Sequence, residues 1–317
     1  MKKIVTVGTR ESTLARWQTD WVVTQLEQAF PDISFRVIPV KTKGDKILDV
    51  ALAKIGDKGL FTKELEVAIL NKEIDFAVHS MKDLPTTLPD GLAIGANTQR
   101  HDPCDVIISH KGFTLATLPE KARVGTSSLR RKAQLLYLRQ DLQICDLRGN
   151  LHTRLRKMEE LDLDAILLAG AGVDRLGWEN RIMERLPSHL FLPAVGQGAI
   201  GIEIRAGDQE IQSIVETLHH GNSALEISAE RSLLSYLEGG CQIPIGALGV
   251  IENNVLSLDG LVADLDGKKM VRSKVSGPPS DAEKLGVDLA QRLLELGGDE
   301  ILRQVRQKYD QETISFS

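Results

Sequence analysis

Apolar runs and helix-period patterns alternate along the chain from residue 4 to about residue 220. Residues 4–9 read as a strand, and Ser12 stands where an N-cap would open a helix reaching about Phe30. Residues 35–40 form the next apolar run. The apolar positions of residues 60–70 recur at helical spacing, and residues 76–79, 92–96 and 106–109 read as strands. The same rhythm continues with strands at 123–126, 142–147, 165–169 and 200–205 and helices at 128–138 and 152–161. It predicts α/β layers around mostly parallel sheets.

Two stretches break the rhythm. Residues 41–59 carry three glycines and five lysines and read as a long mobile loop, the kind that often serves as a lid. Leu192-Pro193-Ala194-Val195-Gly196-Gln197-Gly198-Ala199 reads as a crossover. From about Asn222 the character changes. A helix at 224–237 is followed by a Gly-Gly-Cys loop, three short alternating strands near 247–251, 255–263 and 270–276, and helices near 281–296 and 300–308. That is a small α+β domain.

The 317 residues, 42% apolar and 26% charged, suit a globular protein of two or three domains. The N-terminus is too quickly polar for a signal peptide, and no apolar run reaches membrane-spanning length, so a cytoplasmic location is expected. Three widely spaced cysteines argue against a disulfide framework or a zinc cage. His219-His220 reads as a polar helix end.

Charge is unevenly distributed. Between Lys121 and Lys157 stand ten Lys/Arg and only Asp141 and Asp146, a local net of +8 in a chain of net −5. Such a segment is suited to an anion. Within it, Gly125-Thr126-Ser127-Ser128-Leu129-Arg130-Arg131 joins a strand to a helix, combining helix N-terminal amides, hydroxyls and guanidiniums. Asp146-Leu147-Arg148-Gly149-Asn150 repeats the arrangement, with Arg154 one to two turns further on. Ligands in such sheets bind at strand carboxyl ends, so Arg130, Arg131, Arg148 and Arg154 are expected to converge. Arg10 with Ser12, and His79-Ser80-Met81-Lys82-Asp83, occupy equivalent strand ends earlier in the chain. A carboxylate such as Asp83 among cations stays ionised and can steady a developing positive charge; its bland alternative is an ion pair with Lys82 or a turn cap. Cys145 alternates with apolar residues and reads as an inert core thiol. Cys104, after Asp-Pro at a domain junction, stands where a thiol can be exposed. Cys241, after two glycines in a loop, is the candidate for a covalent role, with tight-turn packing as the even alternative.

Together these motifs resemble the porphobilinogen deaminase (hydroxymethylbilane synthase) family nearly end to end. The resemblance is carried by Thr9-Arg10-Glu11-Ser12, Lys58-Gly59-Leu60-Phe61, His79-Ser80-Met81-Lys82-Asp83 and Gly125-Thr126-Ser127-Ser128-Leu129-Arg130-Arg131. Leu147-Arg148-Gly149-Asn150, the 192–199 crossover and Glu238-Gly239-Gly240-Cys241-Gln242-Ile243-Pro244 complete it.

The resemblance implies two periplasmic-binding-protein-like α/β lobes plus the small C-terminal α+β domain. The boundaries it implies are 1–99 with 199–218, then 100–198, then 219–317, with hinges at Arg100 and around residues 194–198. It implies a dipyrromethane cofactor held through a thioether on Cys241. Onto that primer four porphobilinogen molecules are joined head to tail before hydroxymethylbilane is released by hydrolysis. Asp83 is then the catalytic carboxylate. Arg10, Ser12, Lys82, Thr126, Ser128, Arg130, Arg131, Arg148, Arg154 and Arg175 bind cofactor and substrate carboxylates, and Lys54, Lys58, Phe61 and Gln197 contribute more weakly from lid and cleft. A monomer that binds neither metal, nucleic acid nor membrane is implied. A nucleic-acid binder is disfavoured by 4% aromatic residues and the acidic balance. A non-catalytic two-lobed dicarboxylate binder leaves Asp83 and the Gly-Gly-Cys loop unexplained.

Overall fold

The computed structural model describes residues 3–46, 59–237 and 243–314. They divide into two compact units: residues 3–46, 59–103 and 196–224 form the first, and residues 104–195, 225–237 and 243–314 the second.

In the first unit, strands β1 (Lys3–Arg10), β2 (Ile33–Val40), β3 (Phe76–Ser80) and β4 (Leu92–Asn97) are joined by β10 (Ile200–Arg205), in the order β2-β1-β3-β10-β4. β1 pairs parallel with both β2 and β3, whereas β10 is antiparallel to β3 and β4. Four strands therefore run one way and the late-arriving strand runs against them. Both faces are covered, as parallel sheets require. Val5, Val7, Phe76, Val78 and Ile202 pack with Val22 and Leu26 of the helix Thr13–Ala29. Ala77, on the opposite face of β3, packs with Leu65 and Ile69 of the helix Lys63–Leu70.

The second unit repeats the plan. β5 (Asp105–Ile108), β6 (Arg123–Gly125), β7 (Gln143–Cys145), β8 (Ala165–Ala169) and β9 (Ile182–Leu186) are ordered β7-β6-β8-β5-β9, with β5 antiparallel to its neighbours. The two sheets share one topology, and two α/β lobes are present as expected. The same unit contains an antiparallel sheet of β11 (Ile245–Glu252), β12 (Val255–Ala263) and β13 (Met270–Gly277). Its core packs Leu256, Leu258 and Val262 on Leu233, Leu289 and Leu293.

Several expectations need correction. Within the segment read as a loop, Lys43–Lys46 is a helical turn; Gly44 N–H donates to Leu60 O at 3.0 Å. Residues 47–58, with Lys54 and Lys58, lie outside the described residues, as does Cys241. Cys104 is buried, not exposed: Arg185 Nη1 lies 3.9 Å from its sulfur. Cys145 packs on a core cluster but is only half-buried, because β7 is an edge strand. Among the described residues no helix is long and apolar enough to cross a membrane, and no cluster of metal-ligating side chains is present.

Candidate functional site

In the first unit the functional candidates sit at the ends of β1 and β3. Arg10 closes β1, and Ser12 caps the following helix, its hydroxyl accepting from Ala15 N–H at 3.3 Å. β3 runs into a single 3₁₀ turn, Met81–Asp83. Lys82 is exposed on it, while Asp83 is half-buried and 3.8 Å from Arg10 Nη1. Asp83 thus faces Arg10 across the sheet. The Arg10 guanidinium lies over the Phe61 ring, 4.2 Å from its centroid, an arrangement in which the ring quadrupole steadies the cation. Gln197 is buried and its amide donates to Pro103 O at 2.7 Å, while Arg100 Nε donates to Gln197 O at 2.8 Å.

In the second unit the anion-binding candidates divide into two groups. Thr126, Ser128, Arg130 and Arg131 surround the strand-to-helix turn after β6. Ser128 caps the helix Leu129–Leu138 by accepting from Arg131 N–H, and Thr126 Oγ1 accepts from Ser128 N–H at 3.2 Å. Arg130 and Arg131 turn inward instead of outward. Both are buried and both grip Asp105: Arg130 Nη1 reaches Oδ2 at 2.7 Å, and Arg131 Nε and Nη2 reach Oδ1 at 3.1 and 2.7 Å. Further donors go to Leu192 O and Leu167 O. The two guanidiniums hold the Asp105 carboxyl well below the usual carboxylate range. One carboxylate between two arginines leaves a net positive charge under the turn. The sequence reading missed Asp105; its signal was a lone carboxylate opening an otherwise apolar strand, Asp105-Val106-Ile107-Ile108.

Arg148, Arg154 and Arg175 are only partly buried. Gly149 has φ +117°, where a side chain would be strained and a Cβ would lie 2.6 Å from Thr153 Cγ2, so the Arg148-Gly149-Asn150 turn requires glycine. That turn lets Asn150 cap the helix Leu151–Glu160, and Arg154 Nε donates back to Gly149 O at 2.8 Å. Arg148 Nη1 is buried without a hydrogen-bond partner among the described residues, and burial lowers the pKa of its guanidinium. Arg175 ends the helix Gly170–Arg175, where burial pushes its guanidinium down to about 10. The preceding Asp174 is taken up by Arg185, with contacts of 2.6 and 3.1 Å. Cations desolvated in this way are stabilised by an incoming carboxylate, which supplies both charge and acceptors. The donor set therefore fits a polycarboxylate such as a chain of pyrroles bearing acetate and propionate groups.

The model of the family described as "Porphobilinogen deaminase, dipyromethane cofactor binding domain" matches residues 5–213, and that described as "Porphobilinogen deaminase, C-terminal domain" matches residues 224–295. A curated porphobilinogen deaminase of Moorella thermoacetica is 59% identical over 302 residues, covering 95% of this chain and 96% of that protein. One from Carboxydothermus hydrogenoformans is 58% identical, covering 96% and 98%, and one from Geobacter sulfurreducens 50% identical, covering 95% of each.

Proposed function

The chain belongs to the porphobilinogen deaminase family, and from that premise we propose how its own residues serve the deamination and head-to-tail joining of four porphobilinogen molecules. When bound through Cys241, the dipyrromethane primer would supply the free α-carbon to which the first pyrrole is joined, and each later pyrrole joins the ring added before it. The observation that carries the reading is the orphaned, buried Nη1 of Arg148. A desolvated donor of this kind costs stability until an acceptor arrives, and the acetate and propionate of a pyrrole supply one.

Arg148, Arg154 and Arg175 hold carboxylates directly. Thr126 and Ser128 fix the turn beside them, and Arg130 and Arg131, anchored on Asp105, add positive potential from beneath. In the first unit Arg10 and Ser12 bind and orient substrate carboxylates, with Lys82 exposed to attract them. Phe61 and Gln197 hold the neighbouring backbone and side chains in place, and Lys54 and Lys58 add positive charge. Asp83 performs the central chemistry. Loss of ammonia leaves positive charge on the pyrrole nitrogen of the substrate, and a carboxylate accepting from that N–H lowers the barrier. The same carboxylate can accept and return the protons exchanged at each coupling. Its contact with Arg10 holds it in place for both tasks. The reading includes a cytoplasmic, monomeric enzyme acting on a small molecule, with the three-domain division given above.

Asp83→Ala tests it. The variant is expected to fold and to bind porphobilinogen but to lose turnover, since half-buried Asp83 makes little contribution to the core. Product formation at the wild-type rate would remove Asp83 from the mechanism.

A further inference from the structure

The first unit contains a buried ionisable cluster that the proposed reaction does not use. The side chains of His79 and Glu203 are 2% and 0% exposed, and His79 Nε2 meets Glu203 Oε2 at 3.1 Å. The other oxygen, Glu203 Oε1, is buried without a hydrogen-bond partner among the described residues. A second carboxyl, Glu66, is buried nearby and accepts from Thr62 Oγ1 at 2.6 Å. Its pKa is raised by burial first, against the lowering effect of the Thr62 hydrogen bond; the neighbouring Glu203 raises it further, and His79 and the exposed Lys63 oppose more weakly. Buried pairs of this kind are poor stabilisers, since apolar residues of similar volume often do as well or better. Their contribution is therefore sought elsewhere, and their place in the fold supplies one.

His79 stands four residues before Asp83, on the strand that runs directly into the Met81–Asp83 turn. Across the antiparallel ladder His79 faces Gly201, which brings no side chain: a Cβ there would lie 2.7 Å from Met81 Sδ. The side-chain link between β3 and β10 at this point therefore falls to Glu203, two residues along, the diagonal position that long side chains span. The turn itself is tied by Met81 N–H donating to Ala199 O at 3.0 Å. On the other side Ser80 leaves the turn uncapped, and its hydroxyl lies 3.0 Å from the amide nitrogen of buried Gln18.

We propose that the His79–Glu203 pair is a positioning device for Asp83: it fixes the end of β3 against β10 and so sets where the following turn presents its carboxylate. The proposal rests on the role given to Asp83 above. Neither residue contacts substrate; both act through the turn.

The test compares H79L/E203L, E203D and E203Q with wild type and Asp83→Ala. Intact mass reports primer loading, thermal unfolding reports the fold, and steady-state kinetics separate kcat from KM. The double variant replaces the pair with apolar groups, so it is expected to remain folded and primed with KM near the wild-type value. Its kcat is expected to fall about 10- to 100-fold, the cost of a misplacement on the order of 1 Å. E203D keeps the charge but withdraws it by one methylene, and is expected to slow in the same sense. E203Q keeps an acceptor for the imidazole and is expected to recover most of the rate, which a purely structural role would not require. If H79L/E203L does not fold, E203D decides: slow turnover at unchanged KM supports the device, and wild-type turnover overturns it. Wild-type kcat in H79L/E203L, with Asp83→Ala inactive, overturns the positioning role alone. An active Asp83→Ala overturns the reading beneath it.

Discussion

Replacing Asp105 with asparagine probes the buried triad under the second unit's anion-binding turn. The carboxylate is fully buried and accepts three charged hydrogen bonds, one from Arg130 and two from Arg131. Asparagine keeps the shape but removes the charge and turns one acceptor into a donor facing a guanidinium. Hydrogen bonds to charged groups contribute about 1.5–3 kcal/mol each, and these three share partners, so their sum overstates the loss. Breaking a buried ion pair from one side costs about 3–5 kcal/mol, because a buried charge is left uncompensated. Here two guanidiniums lose their shared counter-charge, which places Asp105→Asn toward the upper end of that range. For a unit of about 150–250 residues, 1 kcal/mol moves Tm by roughly 2–4 °C, so a drop of about 10 °C or more is expected. The assay is thermal unfolding by circular dichroism at pH 7 and at two salt concentrations. Burial makes the effect nearly independent of salt. A drop below about 2 °C, or one that high salt abolishes, would mean that the triad is solvated and would refute the reasoning.

Two further outcomes follow from the same structure. Arg148→Leu removes the orphaned buried guanidinium donor; the chain is expected to fold at least as stably as wild type yet fail to acquire primer or extend it, read by intact mass and product assay. Wild-type kinetics there would contradict the carboxylate-binding role. Glu66→Gln tests the raised pKa of that carboxyl. A group whose folded pKa lies above its unfolded value contributes stability at low pH and loses it as pH rises through the folded pKa. The advantage of Glu66→Gln over wild type in Tm should therefore open as pH rises from the ordinary carboxyl value upward. A gap constant with pH would show that Glu66 is not perturbed.

The elements most legible in the sequence were those with strong apolar periodicity. β8, β10 and β12 stand where their apolar runs put them, and the helix from Thr13 begins behind Ser12 because the serine caps it as its side-chain chemistry predicts. β9 was not legible. It is an edge strand with alternating exposure, Ile182-Met183-Glu184-Arg185-Leu186, too polar to stand out from a loop. The short helices Gly170–Arg175 and Gln209–Val215 span too few residues to show a period. In the candidate site, residue type and strand-end position revealed the arginines, but not which way they face. Arg130 and Arg131 turn inward because Asp105, twenty-five residues earlier, is carried beside them by β5, a pairing that depends on topology. Cys104 is buried for a similar reason: β5 and β8 bring its carbonyl against Gly170 N–H at 2.9 Å. The Arg10–Phe61 stacking likewise joins residues fifty-one positions apart, which no local spacing discloses.

The intact mass of the purified chain, beside that of Cys241→Ser, tests the central claim most directly. A wild-type excess equal to two linked pyrrole units, absent from the variant, is the expected result and establishes a covalent primer at that cysteine. No excess over the mass its sequence gives, in either chain after incubation with porphobilinogen, would contradict the account and leave an arginine-rich binder of carboxylates in its place.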